Sequence, residues 1–218
     1  MLNGKALKGA VLDSQFEKKY YMTPAGMAFA RFTVQGSRFI GTISPVSTEA
    51  AVADVLDQIR EKYPGATHHA YAFRIGIESL LIERSSDDGE PANSAGAPML
   101  QVLQGHNLAD TLVIGTRYFG GTRLGIGGLT RAYRDCARLS LKEARLQKKE
   151  PAKIFNFKLE YEYLGPFTRL IESLEGKIMA VDYKESVTLK VKIPVRLKAQ
   201  LIAGFESICR GQGSWHHL

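Results

Sequence analysis

Cysteine is scarce in this sequence of 218 residues, with Cys136 and Cys209 the only two. They lie far apart with no CxxC spacing, which excludes a zinc ribbon, a dithiol redox pair and a disulfide-built scaffold, and both read as reduced core residues. No apolar run reaches the roughly 20 residues a spanning helix needs, so no membrane association is expected. The opening MLNGKALKGAVLDSQFEKK lacks the apolar segment of a secretory leader, and the expected location is the cytoplasm. Common catalytic signatures are missing too. No Gly-Lys-Ser/Thr follows any glycine cluster, GTRLGIG is not GxGxxG, and Ser85, Ser86 and Ser94 have no GxSxG context. His68 and His69 are adjacent, so on a strand they face opposite sides and cannot ligate one metal together. His216 and His217 stand at a fraying terminus. No cofactor and no metal are expected.

Apolar residues make up 44% and charged residues 23%, which is ordinary for a globular protein. The net charge of +7 is concentrated. Between Arg117 and Lys149 nine Lys or Arg face only Asp135 and Glu143, so this window holds the whole excess and the rest of the chain balances. Concentrated positive charge points to an anionic partner.

The apolar periodicity sets the organisation. Val34–Val46 reads as strand, with Gly36 and Gly41 marking a turn or a close approach. Ser47-Thr48-Glu49 opens a helix to Tyr63, stopped by Pro64-Gly65. His68–Gly76 alternates as a strand, with Ser79–Arg84 as its hairpin partner. SSDDGEPANSAG is loop, a helix covers about Ala97–Gln104, and DTLVIGTRYF reads as a central strand buried on both faces. A long helix follows, from about Gly128 to Gln147. Gln147–Lys153 reads as a linker between a domain spanning 1–147 and one spanning 154–218. The second domain shows strand (Lys153–Tyr163), helix (from Gly165-Pro166 to Leu174), strands (Lys177–Tyr183 and Val187–Ile193), helix (Pro194 to about Cys209) and strand (Ser214–Leu218). That βαββαβ order is the ferredoxin-like arrangement. The fold class is α+β in two domains, the first a two-layer α/β domain with a mixed or antiparallel sheet.

RYFGGTRLGIGGLTRAYRD, Arg117–Asp135, holds five glycines and four arginines. A buried strand, a glycine loop and a helix in succession expose free N–H groups and the positive end of a helix dipole, which suits an anion. Gly120, Gly121, Gly125, Gly127 and Gly128 leave those amides unshielded. On the helix, Arg131, Arg134, Arg138, Lys142 and Arg145 share an arc of roughly 80°, opposite the small face of Ala132, Tyr133, Cys136, Ala137, Ser140 and Ala144. Arg117, Arg123, Arg131, Arg134 and Arg138 with the glycines form the candidate anion or nucleic-acid site. A solvated amphipathic helix after a tight turn explains the same pattern. The acidic loop, with Asp87, Asp88, Gly89, Glu90, Pro91, Ser94 and Gly96, reads as structural, an Asx turn ahead of a helix.

The succession DDGEP, SAGAPML, RYFGG and LGIGGLTRAY closely resembles the YigZ/IMPACT family, over about Arg38–Leu146. One departure is visible: Ala92-Asn93-Ser94 stands where the family usually has a residue followed by Gly-Thr. Ser94 keeps a hydroxyl, and Asn93 still permits a left-handed backbone. The resemblance implies a first domain like the second domain of ribosomal protein S5, and a ferredoxin-like domain similar to a late domain of elongation factor G. It also implies a link to translational control through binding, with no catalytic residues to carry over. The expected function is therefore a non-enzymatic binding protein contacting RNA, the ribosome or a translation-related protein. The alternative is an enzyme acting on a phosphorylated small molecule, with the glycine loop as cradle and Asp88 or Glu90 as base. The sequence sets no oligomeric state.

Overall fold

The computed structural model describes residues 20–77 and 81–217. The leader reading, residues Ser79 and Leu80 of the expected hairpin strand, and Leu218 lie outside them. The chain forms two compact units, Tyr21–Lys149 and Glu150–Leu218. Among the described residues no helix is long and apolar enough to cross a membrane. Both cysteines are free and buried, as the sequence suggests.

The first unit runs β1 (Tyr21–Pro24), β2 (Ala28–Val34), β3 (Ser37–Pro45), α1 (Glu49–Lys62), β4 (His68–Ile75), β5 (Ile82–Ser86), α2 (Gly96–Gly105), β6 (Thr111–Tyr118), α3 (Gly125–Glu143) and β7 (Leu146–Lys149). Its main sheet has the order β2-β3-β6-β4-β5, all antiparallel. The β2–β3 hairpin closes on Gln35 and Gly36, whose φ values of 46° and 81° match the two left-handed positions of a type I′ turn. Thr48 caps α1, its side chain accepting from the Ala51 N–H.

Strand β6 is buried on both faces, and its alternation explains the layering. Val113 joins Phe39, Ala70, Ala72, Met99 and Tyr133 beneath α2 and α3. Leu112 and Ile114 join Val52, Leu56 and Ile59 of α1 on the opposite side. The expected two layers are thus the sheet with α2 and α3, and α1 adds a further layer over the other face. Helix α3 begins at Gly125, earlier than expected, because Leu129, Ala132, Tyr133 and Cys136 bury the face that drives it. It ends at Glu143, where Ala144 turns extended, so Arg145 lies beyond the helix and leaves the basic stripe.

Residues 147–149, expected in a linker, instead belong to β7, which pairs antiparallel with β1. Asp110, in a left-handed conformation with φ 49°, ties this ribbon to the sheet. Its carboxylate accepts from Tyr21 Oη at 2.6 Å, from the Gly76 N–H at 3.0 Å and from Lys149 Nζ. Burial by itself raises the Asp110 carboxyl, but the hydrogen bonds from Lys149, Tyr21 and Gly76 and the Lys149 charge hold it below the usual carboxylate range. We propose that the domain boundary falls between Lys149 and Glu150. A fragment ending at Lys149 is expected to melt several degrees above one ending at Gln147, because the Lys149 ammonium bond to Asp110 contributes about 1.5–3 kcal/mol. Equal melting temperatures in calorimetry would return the boundary to 147.

The second unit runs β8 (Ala152–Leu159), α4 (Tyr161–Ser173), β9 (Lys177–Tyr183), β10 (Val187–Pro194), α5 (Lys198–Cys209) and β11 (Ser214–His217). Its antiparallel sheet has the order β11-β8-β10-β9. Numbered within the unit this is 4-1-3-2, the ferredoxin-like order expected. Phe155, Phe157, Val187, Leu189, Val191, Phe167 and Phe205 fill the core on one face of that sheet. Helix α4 starts at Tyr161 and carries Pro166 inside it, so the strand read through Tyr163 stops at Leu159. Tyr163 extended the alternation but packs on the core from a helix.

Candidate anion-docking site

The two motifs singled out in the sequence meet in space. Glu90 of the acidic loop is buried, and its Oε1 accepts from Arg117 Nη1 at 2.8 Å and from Tyr133 Oη at 2.7 Å. Arg117 Nη1 also reaches Oε2 at 3.1 Å, and Nη2 donates to Ser37 Oγ at 3.3 Å. The same Ser37 Oγ accepts from the Gly120 N–H at 3.1 Å, which anchors the start of the glycine loop. His68 lies alongside. Its Nδ1 is 2.6 Å from the Asp88 carbonyl, so that nitrogen carries the proton, and Nε2 faces Glu90 Oε1 at 4.0 Å. Burial, then the Glu90 carboxylate, push the Tyr133 hydroxyl far up, so it remains a donor.

Arg117 therefore departs from the expectation. Its side chain is only 6% exposed and its charge is offset by Glu90, so it braces the loop from beneath rather than adding to an outward field. The enzymatic reading assigned Glu90 or Asp88 as base. Glu90 is held by Arg117 and Tyr133, and Asp88 Oδ2 accepts from the His69 N–H at 2.6 Å. The helix-capping role belongs to Asp87, whose Oδ1 accepts from the Ala95 and Gly96 N–H groups at 2.9 and 2.8 Å. Its Oδ2 takes the Asn93 N–H at 2.7 Å. Asn93 is left-handed at φ 59°, as its place in the motif suggested, and Ser94 Oγ donates to the Pro91 carbonyl at 2.6 Å. Asp88 and Gly89 are also left-handed, and a Cβ at Gly96 would stand 2.8 Å from the Ser86 backbone. The acidic loop is a folded brace. Among the described residues no group of three or more His, Cys, Asp or Glu could hold a metal ion.

The surface above this brace has different character. Among the described residues no side chain caps the start of α3, as is also true of α4 and α5, whereas Thr48 caps α1 and Asp87 reaches the first amides of α2. A Cβ at Gly121 or Gly125 would meet nothing within 4 Å, and one at Gly127 only Arg131 Nη1 at 3.8 Å. Gly128 is tighter, 3.0 Å from Leu124 Cβ, and Gly120 is tighter still, 1.9 Å from the Gly36 carbonyl carbon. Only part of the glycine set is thus open; Gly120 lets the chain cross the Gly36 backbone, and Gly128 makes room for the Leu124 side chain. Arg123, Arg131 and Arg138 are exposed and Arg134 half-buried, with Lys142 exposed at the far end of the helix. Among the described residues Arg138 alone of these has a carboxylate nearby, Asp135 at 3.8 Å, in a loose exposed pair of little energetic weight. Phe119 and Ile126, 48% and 65% exposed, flank the loop. The sequence did not single out Ser37 or His68 as partners of the brace, because no local spacing links them to Glu90 or Gly120.

Residues 35–141 match the Impact N-terminal domain, and residues 157–212 match a domain of unknown function, DUF1949. A solved structure of a hypothetical protein aligns with a TM-score of 0.75 at 30% identity, covering 93% of this chain and 98% of that one. The fold and these matches define a two-domain α+β protein with an Impact-type first domain. The chain is 31% identical over 192 residues to the IMPACT family member YigZ of Escherichia coli K12, covering 88% of this chain and 94% of that one. It is 33% identical over 173 residues to the IMPACT family member YvyE of Bacillus subtilis 168, covering 79% of each. The chain belongs to the IMPACT family.

Proposed function

We propose that this chain is a binding protein linked to the regulation of translation, and that the glycine loop and the outward face of α3 dock the phosphate backbone of RNA, free or within a ribosome. The link to translation rests on the family resemblance. The docking surface rests on one observation: the first turn of α3, uncapped among the described residues and open at Gly125 and Gly127, lies between Arg123 of the loop and the helix residues Arg131, Arg134 and Arg138. Free amides and the dipole favour an anion at the loop, and the arginines extend the field along one side. Exposed Phe119 and Ile126 add apolar surface beside it.

Replacing Arg131 and Arg134 with Glu tests this directly. Each phosphate left without its cation flattens the dependence of log K on log salt by about 0.7–0.9, so the variant is expected to bind RNA or ribosomal subunits at least tenfold more weakly, with a shallower slope. Thermal unfolding should change little, since Arg131 is exposed and Arg134 is half-buried outside the core. Unchanged binding to RNA and ribosomes would sink the reading, and weakened binding confined to an acidic translation factor would replace RNA with protein as the partner.

A further inference from the structure

The sheet of the second unit has a face that the core does not use. Strand registers place Lys158 of β8, Lys190 and Lys192 of β10, and Lys177 of β9 on it, because directly paired residues share a side. The core residues Phe155, Phe157, Leu189 and Val191 alternate with them and point the other way. At about 4.8 Å between strands and about 7 Å between alternate residues, the four lysines occupy a patch of roughly 10 by 14 Å. Lys158, Lys177 and Lys190 are exposed and Lys192 is half-buried.

Two features separate this patch from an ordinary solvated face. The charge is strongly positive in excess. Among the described residues none of the four lysines has a carboxylate within ion-pairing distance, and the acidic side chain sharing their face, Asp182, is taken by Lys184 at 2.8 Å. Further, Lys192 and Lys177 are directly opposed across the β10–β9 pair. Like charges so placed destabilise a sheet. A bound anion between them turns that cost into attraction.

We propose that this sheet face is a second, independent docking surface, and that its occupant is the phosphate backbone of RNA. The choice of RNA as the polyanion rests on the translation-linked reading above; the surface itself does not. Among the described residues the face offers no Phe, Tyr or Trp at these registers, since Phe155, Phe157 and Trp215 belong to the opposite side. Base stacking is therefore no part of the recognition, and binding is sequence-tolerant and salt-sensitive.

The test uses the full chain and a mixed-sequence RNA oligonucleotide of about 20 nucleotides, titrated at several salt concentrations, with the double variant Lys177→Gln/Lys190→Gln. Both positions are exposed, so folding is spared. With two ammonium–phosphate pairings removed, the salt slope should flatten by about 1.4 and the affinity at about 0.1 M salt should fall roughly 10- to 30-fold. Separately, Lys177→Gln without RNA should melt at the same temperature or higher, because it removes the repulsion facing Lys192. Unchanged RNA affinity and slope overturn the proposal, as does binding of polyglutamate in preference to RNA. A lowered melting temperature also overturns it, since it makes the lysine structural. The Arg131→Glu/Arg134→Glu variant run in parallel separates the two surfaces. Weakened binding there with an unaffected lysine variant leaves the α3 reading standing and removes this one, and the reverse pattern does the opposite.

Discussion

Glu90→Ala is expected to destabilise the first unit by about 3–5 kcal/mol, because it strands a buried arginine without its counter-charge. The Glu90 side chain is 3% exposed and the Arg117 side chain 6%, so water cannot take over the missing role. The Tyr133 hydroxyl, fully buried, loses its acceptor at the same time. Arg117 Nε is already buried without a hydrogen-bond partner among the described residues, so its guanidinium is held by few bonds even in the intact protein. In calorimetry the transition of the first unit should drop by about 10 °C or more. Arg117→Ala should also destabilise, by leaving the carboxylate alone. The double variant should lose clearly less than the sum of the two, because neither charge then remains unpaired. Additive losses, or a single loss below about 1 kcal/mol, would show that the pair does not brace the loop.

Much of this was legible from local pattern. Thr48 ahead of α1, the β6 run buried on both faces, and the basic stripe of α3 follow from periodicity and capping, which act within a few residues. The βαββαβ order of the second unit was read the same way. What stayed hidden depends on distant pairing. Gln147–Lys149 looked like linker because they are polar and precede Pro151, yet β1 and Asp110 hold them as strand. Arg117 looked like part of an outward cluster because its neighbours in sequence are, while its fate is set by Glu90, 27 residues earlier. Strands β1 and β2 carry weak alternation, being short or half-buried, and no strand was read before Val34. For the glycines, sequence showed that space was needed and left open whether a ligand or the protein's own backbone would fill it.

Gly41→Ala should show which glycines serve the fold, and its effect should be of the opposite sign to that of Gly127→Ala. Gly41 of β3 and Gly115 of β6 are cross-strand partners and together form a notch beneath α3. A Cβ at Gly41 would lie 2.2 Å from the Cys136 carbonyl oxygen, and one at Gly115 would lie 2.6 Å from Tyr133 Cδ1. The obstruction at Gly41 is helix backbone, which cannot rotate aside, so α3 must move off the sheet by about 1 Å or more to restore ordinary van der Waals spacing. Overpacking of this kind costs about 1–3 kcal/mol and occasionally more, and displacement of a whole helix puts it at the upper end. The shift also pulls Tyr133 from Glu90 and carries the arginine stripe with it, so RNA binding should weaken together with stability. Gly127 has open space, and alanine there should stabilise the helix by up to about 1 kcal/mol. Its methyl nevertheless adds bulk to the open first turn, so binding should weaken while the melting temperature rises. Stability and binding thus fall together in one variant and separate in the other. A Gly41→Ala protein with unchanged melting temperature would discard the notch, and a Gly127→Ala protein with undiminished binding would take the loop amides out of the docking surface.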